Sequence, residues 1–232
     1  MRLFSRRIRK FTAEFFTIFI SVIAAFSLTK WNENRRDRLS ENKILSEIHN
    51  GLHQDLIDLQ ENITGHTEGI KAIRFFKNAI LNKQEETDSL PYYFFVLTRD
   101  FVSVQNTSGY ETLKSKGMDI IVNDSLRKDI ISLYENGYKT LRKFEEEYSE
   151  AQFFQSYFKD FSSLLVPDFN INEKGTLLNL NLPLQLTEEE KKILITHLWR
   201  ININREFILG FYMNLQKNIE NLQHQIDLEL RK

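Results

Sequence analysis

Cysteine is absent from the 232 residues, and with it go disulfides, zinc-finger patterns, thiol chemistry and anchoring by an acylated cysteine. Chain breakers are scarce as well: eight glycines and three prolines leave few turns and favour long helices. Signatures of the common chemistries are missing. No Gly-rich phosphate loop, Walker pattern, Gly-x-Ser-x-Gly elbow or His-Glu-x-x-His pair occurs, and five scattered histidines form no evident triad. The sequence therefore reads as a non-enzyme with no metal and no cofactor. Acidic residues are missing from the first ten positions, which hold Arg2, Arg6, Arg7, Arg9 and Lys10; since the whole chain carries −1, the remainder carries −6. That sign argues against nucleic acid as a partner, because a nucleic-acid-binding body presents a basic face.

What the sequence does contain is one stretch suited to lipid. Residues 15–29 hold no charge, and only Thr17, Ser21, Ser27 and Thr29 interrupt Phe, Ile, Val, Ala and Leu. As a helix this run covers roughly 22 Å, short of the ~30 Å hydrocarbon core, whereas residues 11–31 cover about 31 Å and match it. The span must then include Glu14, whose carboxylate lies about one turn from the end, within reach of headgroups or of a proton; a partner helix is the sharper alternative. Phe15, Ile18, Val22 and Leu28 face lipid in this reading, and Trp31 falls at the interface that amphipathic aromatics favour. A cleavable signal peptide is the rival, with Ala25-Phe26-Ser27 as a small-x-small site. Against it, no Pro or Gly separates the run from the helical pattern that follows.

Orientation is a near tie. Five basic residues precede the span, and Lys30, Arg35, Arg36, Arg38 and Lys43 follow it among Glu33, Asp37 and Glu41. A cytoplasmic amino terminus is favoured, because the reverse drags an undiluted basic decapeptide across the membrane.

From Ile44 the apolar residues recur at helical spacing: Ile44, Ile48, Leu52, Leu56, Leu59, Ile63, then Ile70, Ile73, Phe76 and Ile80. This predicts one helix of some forty residues, kinked at 64–69 between Gly65 and Gly69. His49 and His53 stand four apart but lack the glutamate of a helical metal pair, so a solvated face is their default. Residues 82–91 read as an acidic loop closed by Pro91, and 92–105 as a helix buried nearly all round. Thr107 or Ser108 caps a short helix that ends at Gly117. Asn123 or Asp124 caps the next, which runs through Ile130, Leu133, Tyr134, Leu141, Phe144, Tyr148 and Phe158 towards Leu165, with Glu145, Glu146 and Glu147 on a solvated face. Residues 166–186 read as a packed loop, with the period-two leucines as a strand alternative. Thr187-Glu188-Glu189-Glu190 is a capping box. It opens the clearest periodic run of the chain: Leu194, Leu198, Ile201, Arg205, Ile208, Tyr212, Leu215, Ile219, Leu222 and Ile226, a heptad seam with one charged member. The seam faces either the protein's own long helix or a second chain.

Trp31-Asn32-Glu33-Asn34-Arg35, the stretch 41–49, the block from Asn106 to Lys114 and Asn123-Asp124-Ser125-Leu126-Arg127 resemble an uncharacterised bacterial family. Its members look like a short tail, one transmembrane helix closing in Trp-Asn-Glu-x-Arg, and a helical domain. Most carry Gly-Glu entering the span, where this chain has Ala13-Glu14. The resemblance implies a membrane protein and no mechanism.

The expected fold is all-α: residues 1–10 a basic tail, 11–31 a transmembrane helix, and 32–232 a soluble up-and-down bundle of three long helices with one or two short ones. The expected function is a membrane-anchored interaction or scaffold module. Its partners are the lipid bilayer and either a second copy, as a homo-oligomer, or another membrane or envelope protein. The alternative is an anchored sensor domain that binds a small ligand between helices.

Overall fold

The computed structural model describes the backbone of residues 2–83 and 86–232, and the side chains from residue 14 onward within those limits. The side chains of the basic tail lie outside the described residues. The frame is a pair of helices. α1, Arg2–Ile80, runs 79 residues without interruption, about 120 Å. α8, Glu188–Leu230, packs antiparallel against the C-terminal half of α1: Gln223 reaches the His49 carbonyl at one end and Arg205 meets His66 further up. The capping box that starts α8 forms as expected, with the Thr187 hydroxyl accepting from Glu190 N and the Glu190 carboxylate from Thr187 N.

The α8 seam is buried along its whole length and faces α1. The α1 seam is displaced from the predicted stripe. Leu56, Ile63 and Ile70 are only half-buried. The buried series is Leu45, Ile48, Leu52, Asp55, Leu59, Asn62, His66, Gly69, Ile73, Phe76 and Ile80, an unbroken alternation of three and four. Four of its members are not apolar, which drew the apolar count one position aside. Nor is there a break at 64–69, where α1 stays helical. Its two glycines serve close approach instead: a Cβ on Gly65 would lie 2.2 Å from the Phe101 ring, and one on Gly69 2.4 Å from the Arg205 guanidinium.

The polar run in the α1 seam divides the interior into two cores. The first joins residues 44–59 of α1 and 208–226 of α8 to Tyr110, Leu113, Leu126, Ile130 and Tyr134. The second joins residues 72–80 of α1 and 194–201 of α8 to Leu90, Leu97, Phe153, Phe161 and Leu180. Phe76 and Phe161 meet edge to face in the second, and Tyr110 stacks on Tyr134 in the first.

Connectivity departs from a simple up-and-down bundle. α2, Leu90–Thr98, lies at the second core and starts at Leu90 itself, because Pro91 occupies the first turn, where its missing N–H costs nothing. Tyr92 and Phe95 are exposed, so this short helix is not buried all round. The chain then returns along α1 as an extended strap, residues 99–107, followed by α3, Ser108–Lys116. Gly117 takes φ +104° at the end of α3. Asn123 caps α4, Asp124–Ser132, through Ser125 N and Leu126 N. From here the chain runs parallel to α1: a π-helical stretch Leu133–Tyr138, a turn of α-helix α5, Lys139–Arg142, and a second π-helical stretch Lys143–Glu147. The helix expected to reach Leu165 stops at Tyr148. Gln152 binds the Glu146 carbonyl there, and Asp100 accepts Phe153 N at 2.6 Å, starting α6, Phe153–Ser156, afresh. α7 is Phe158–Leu165.

The fold is mostly helical, as expected, with one short two-stranded hairpin. Residues 166–186 contain an antiparallel hairpin, β1 Phe169–Ile171 and β2 Leu177–Leu180, rather than a loop. Gly175, at φ +78°, turns the hairpin, and the Asn172 carboxamide accepts Lys174 N and Thr176 N. A lone hairpin is marginal, but this one docks on α2 and exchanges hydrogen bonds between Thr87 Oγ1 and both backbone groups of Leu180.

Candidate functional site

An extended strap laid along a helical bundle leaves backbone N–H and C=O groups with no helix to pair them, and side chains take up several of them. At the belt between the two cores, carboxylates take the N–H groups. Asp58 Oδ2 accepts Val104 N at 2.9 Å, Asp55 Oδ1 accepts Asn106 N at 2.7 Å and Glu145 Oε1 accepts Ser103 N at 3.2 Å. One cation takes carbonyls where α2 gives way to the strap: Arg205 Nη2 donates to Val96 O and Leu97 O in the last turn of α2 and to Arg99 O of the strap, at 3.1, 3.0 and 3.4 Å. Tyr138 OH donates to Asp55 at 2.5 Å, Ser103 Oγ donates to Glu145 at 2.9 Å, and Tyr212 OH donates to Glu145 as well.

Burial sets the charge states. It raises the Asp55 carboxyl to about 6, against the lowering effect of Tyr138 and the Asn106 N–H, and pushes Glu145 up for the same reason. Burial, then the nearby Arg205 cation, lowers His66 to about 3, so its ring is neutral near pH 7. With Nδ1 facing Arg205 Nη1 at 3.4 Å, the ring proton is assigned to Nε2. Burial lowers Arg205 to about 10 while the Asp100 charge supports it, and the Phe101 ring lies 5.6 Å from its guanidinium carbon. His66 Nε2 and Arg205 Nε have no hydrogen-bond partner among the described residues. They border a cavity of about 20 Å³, room for one water molecule and far below a substrate site.

The belt gives the domain two opposed pH responses. Asp55 holds a proton in the folded state between its ordinary 3.8 and about 6, so its contribution to stability falls as pH rises through that window. His66 refuses a proton between about 3 and its ordinary 6.5, so its contribution falls as pH drops through that window. In Asp55→Asn the unfolding midpoint in urea will therefore decline on acidification from pH 6.5 more steeply than in the parent. In His66→Gln it will rise on acidification from pH 6 to 4 relative to the parent. Parallel profiles for all three proteins refute the assignment.

The structure brings Arg205 and Tyr212 of the predicted seam into the belt. Glu145 is buried, contrary to its expected solvated position: the stretch 124–147 turns Leu126, Ile130, Tyr134, Tyr138, Leu141 and Glu145 inward together. His53 is exposed, and His49 is half-buried, 3.3 Å from Asp227. Asp55, His66 and Ser103 escaped sequence reasoning, although the three-four phase of the α1 seam marks the first two. Among the described residues no group of three or more His, Asp or Glu converges on a metal-sized site.

Of the predicted anchor residues, Glu14, Phe15, Ile18, Val22, Leu28 and Trp31 all lie on the free part of α1, exposed on every side. This helix is long and apolar enough to cross a membrane, by length and composition. Ser21 Oγ is satisfied by the Thr17 carbonyl at 2.7 Å, and the Arg35 guanidinium lies over the Trp31 ring at 5.9 Å.

Residues 14–177 match a family described as a family of unknown function, DUF6090, and with well over half of its length matched the chain belongs to that family. The match takes in the free part of α1, the strap and α3 to α7, and ends in the hairpin before α8. No curated protein and no solved structure matches the chain.

Proposed function

We propose, from membership of that family as the premise, that the chain is a single-pass membrane-anchored interaction module whose anchor and structural spine are one helix. The continuity of α1 carries this reading. Residues 14–39 are bare on all sides, and from Glu41 the same helix forms one wall of the core. A bare apolar rod of this length has lipid as its natural solvent, and the Ser21 back-bond to Thr17 satisfies a hydroxyl that hydrocarbon would leave unpaired. With no break between span and domain, the module is held at a set angle to the membrane rather than on a flexible tether. The bilayer is its first partner. A protein partner meets the outside of the domain, since the α1 and α8 seams are consumed against each other; Trp199, Ile203 and Phe207 stand exposed one turn apart on the outer face of α8. The undiluted basic start of the chain favours a cytoplasmic amino terminus and a domain on the far side.

The full chain expressed in a bacterium will stay with the membrane through alkaline carbonate, and a reporter fused after Lys232 will be active only as a form that works outside the cytoplasm. Release into the carbonate supernatant refutes the anchor, and an active cytoplasmic reporter reverses the orientation. A photo-reactive residue at Trp199 or Phe207 will give one discrete adduct on membranes, whereas the same residue at buried Leu222 will not; no adduct from either exposed position refutes the interaction role.

A further inference from the structure

A groove of about 470 Å³ lies between α8 and the stretch that includes the first π-helical segment, within the range of small-ligand sites. One wall carries Asn214, Asn218, Asn221 and Gln225, spaced four, three and four and therefore on one face of α8. The opposite wall carries Asp129, Ser132, Asn136 and Thr140. Leu215 and Leu222 form an apolar floor, with Phe211 at the side. The floor is narrow at Gly137, where a Cβ would come within 3.1 Å of Leu215.

The amides of this groove differ from those that hold the fold together. Asn62, Asn106, Asn123 and Asn170 spend their carboxamides on internal hydrogen bonds. Asn136, Asn214, Asn218 and Asn221 are exposed, and their carboxamides make none among the described residues. Gln225 Nε2 joins the two walls by donating to Asp129 at 2.9 Å. Four carboxamides converging on one groove thus keep their donors and acceptors available. A π-helical segment in the facing wall is the kind of irregularity that helices accept at functional sites.

We propose that this groove binds a neutral oligosaccharide. Lysine and arginine are missing from its lining, so it does not select phosphate or carboxylate groups. The one carboxylate, Asp129, already accepts from Gln225, so it does not select cations. A carboxamide offers two donors and an acceptor, which suits hydroxyl groups that are themselves both, and the leucine floor suits the C–H face of a sugar ring. An extended peptide fits less well: it is held by a free sheet edge with pockets for alternate side chains, and both walls here are helices. The proposal stands apart from the membrane reading.

The test uses the full chain in lauryldimethylamine oxide, a detergent without a sugar headgroup, titrated with maltotetraose, cellotetraose and chitotetraose. Side-chain amide resonances of Asn214, Asn218 and Asn221 will move saturably with at least one of them. Asn218→Leu and Asn221→Leu, which touch no internal hydrogen bond, will weaken that binding tenfold or more while keeping the parent's unfolding midpoint. Absence of saturable shifts with all three sugars overturns the proposal. So does binding unchanged in both variants, or a stronger response to tetraalanine than to any sugar.

Discussion

Arg205→Met will lower the unfolding free energy of the domain by about 2–4 kcal/mol, because it removes the charged donor that three carbonyls share. Methionine fills much the same volume, so the loss is polar. The side chain is 95% removed from solvent by its 5% exposure, and its guanidinium is the group that satisfies the carbonyls of Val96, Leu97 and Arg99. Without it those carbonyls lie between two apolar cores with no donor, each at a cost of about 1–3 kcal/mol before the strap relaxes. Arg205→Lys keeps a charge but presents one compact ammonium where a planar fork serves several acceptors, and will recover less than half of the loss. Urea unfolding checks the magnitude, and hydrogen exchange checks the place. Amides of Ser103, Val104 and Asn106 will lose protection before those of α8. A loss under about 1 kcal/mol with unchanged exchange would show that the carbonyls find other partners and that the strap does not depend on Arg205.

Gly109→Ala will cost about 2–3 kcal/mol, at the upper end for overpacking, because the obstruction is backbone. A Cβ there would lie 2.7 Å from Ile48 N and 3.0 Å from the Glu47 carbonyl carbon, neither of which can rotate aside. α3 must move off α1, and Tyr110 and Leu113, both buried in the first core, move with it. The Tyr110–Tyr134 stack and the hydrogen bond from Tyr110 OH to Glu135 then open as well. Gly210→Ala is the control of opposite sign. Gly210 is in the interior of α8 with nothing within 4 Å of its added Cβ, so alanine will stabilise the domain by about 0.5–1 kcal/mol. Thermal or urea unfolding of the pair decides the matter: equal small effects at both sites would mean that α3 docks loosely.

Gly109 sits in the block from Asn106 to Lys114 that carries the family resemblance, and its contact with Ile48 exists because the strap returns α3 alongside α1. Arg205 was visible as the one charge in a clean heptad, yet nothing near it in the chain names its acceptors, which lie about a hundred residues earlier. A run of three glutamates predicts a solvated Glu145, and only the inward turn of the whole stretch takes it to Ser103 and Tyr212. In each case the missing knowledge was a partner far away in sequence.

What the chain declares on its own is whatever local spacing and local hydrogen bonds decide: the apolar run at its start, the length of α8 and its seam, the Thr187 and Asn123 caps, and the scarcity of turns that makes the protein mostly helical. These follow from side-chain periodicity and from backbone groups paired within four residues. Tertiary structure alone decided that the α1 seam includes Asp55, Asn62 and His66, that the link from α2 to α3 is an extended strap, that a hairpin docks on α2, and that Asp55, His66, Glu145 and Arg205 form one belt. The strap, of which only Ser103 is fully buried, has backbone groups that no neighbour in sequence satisfies, so its partners are set by which helices flank it, and that arrangement exists only once α1, α8 and the stretch 133–147 have come together.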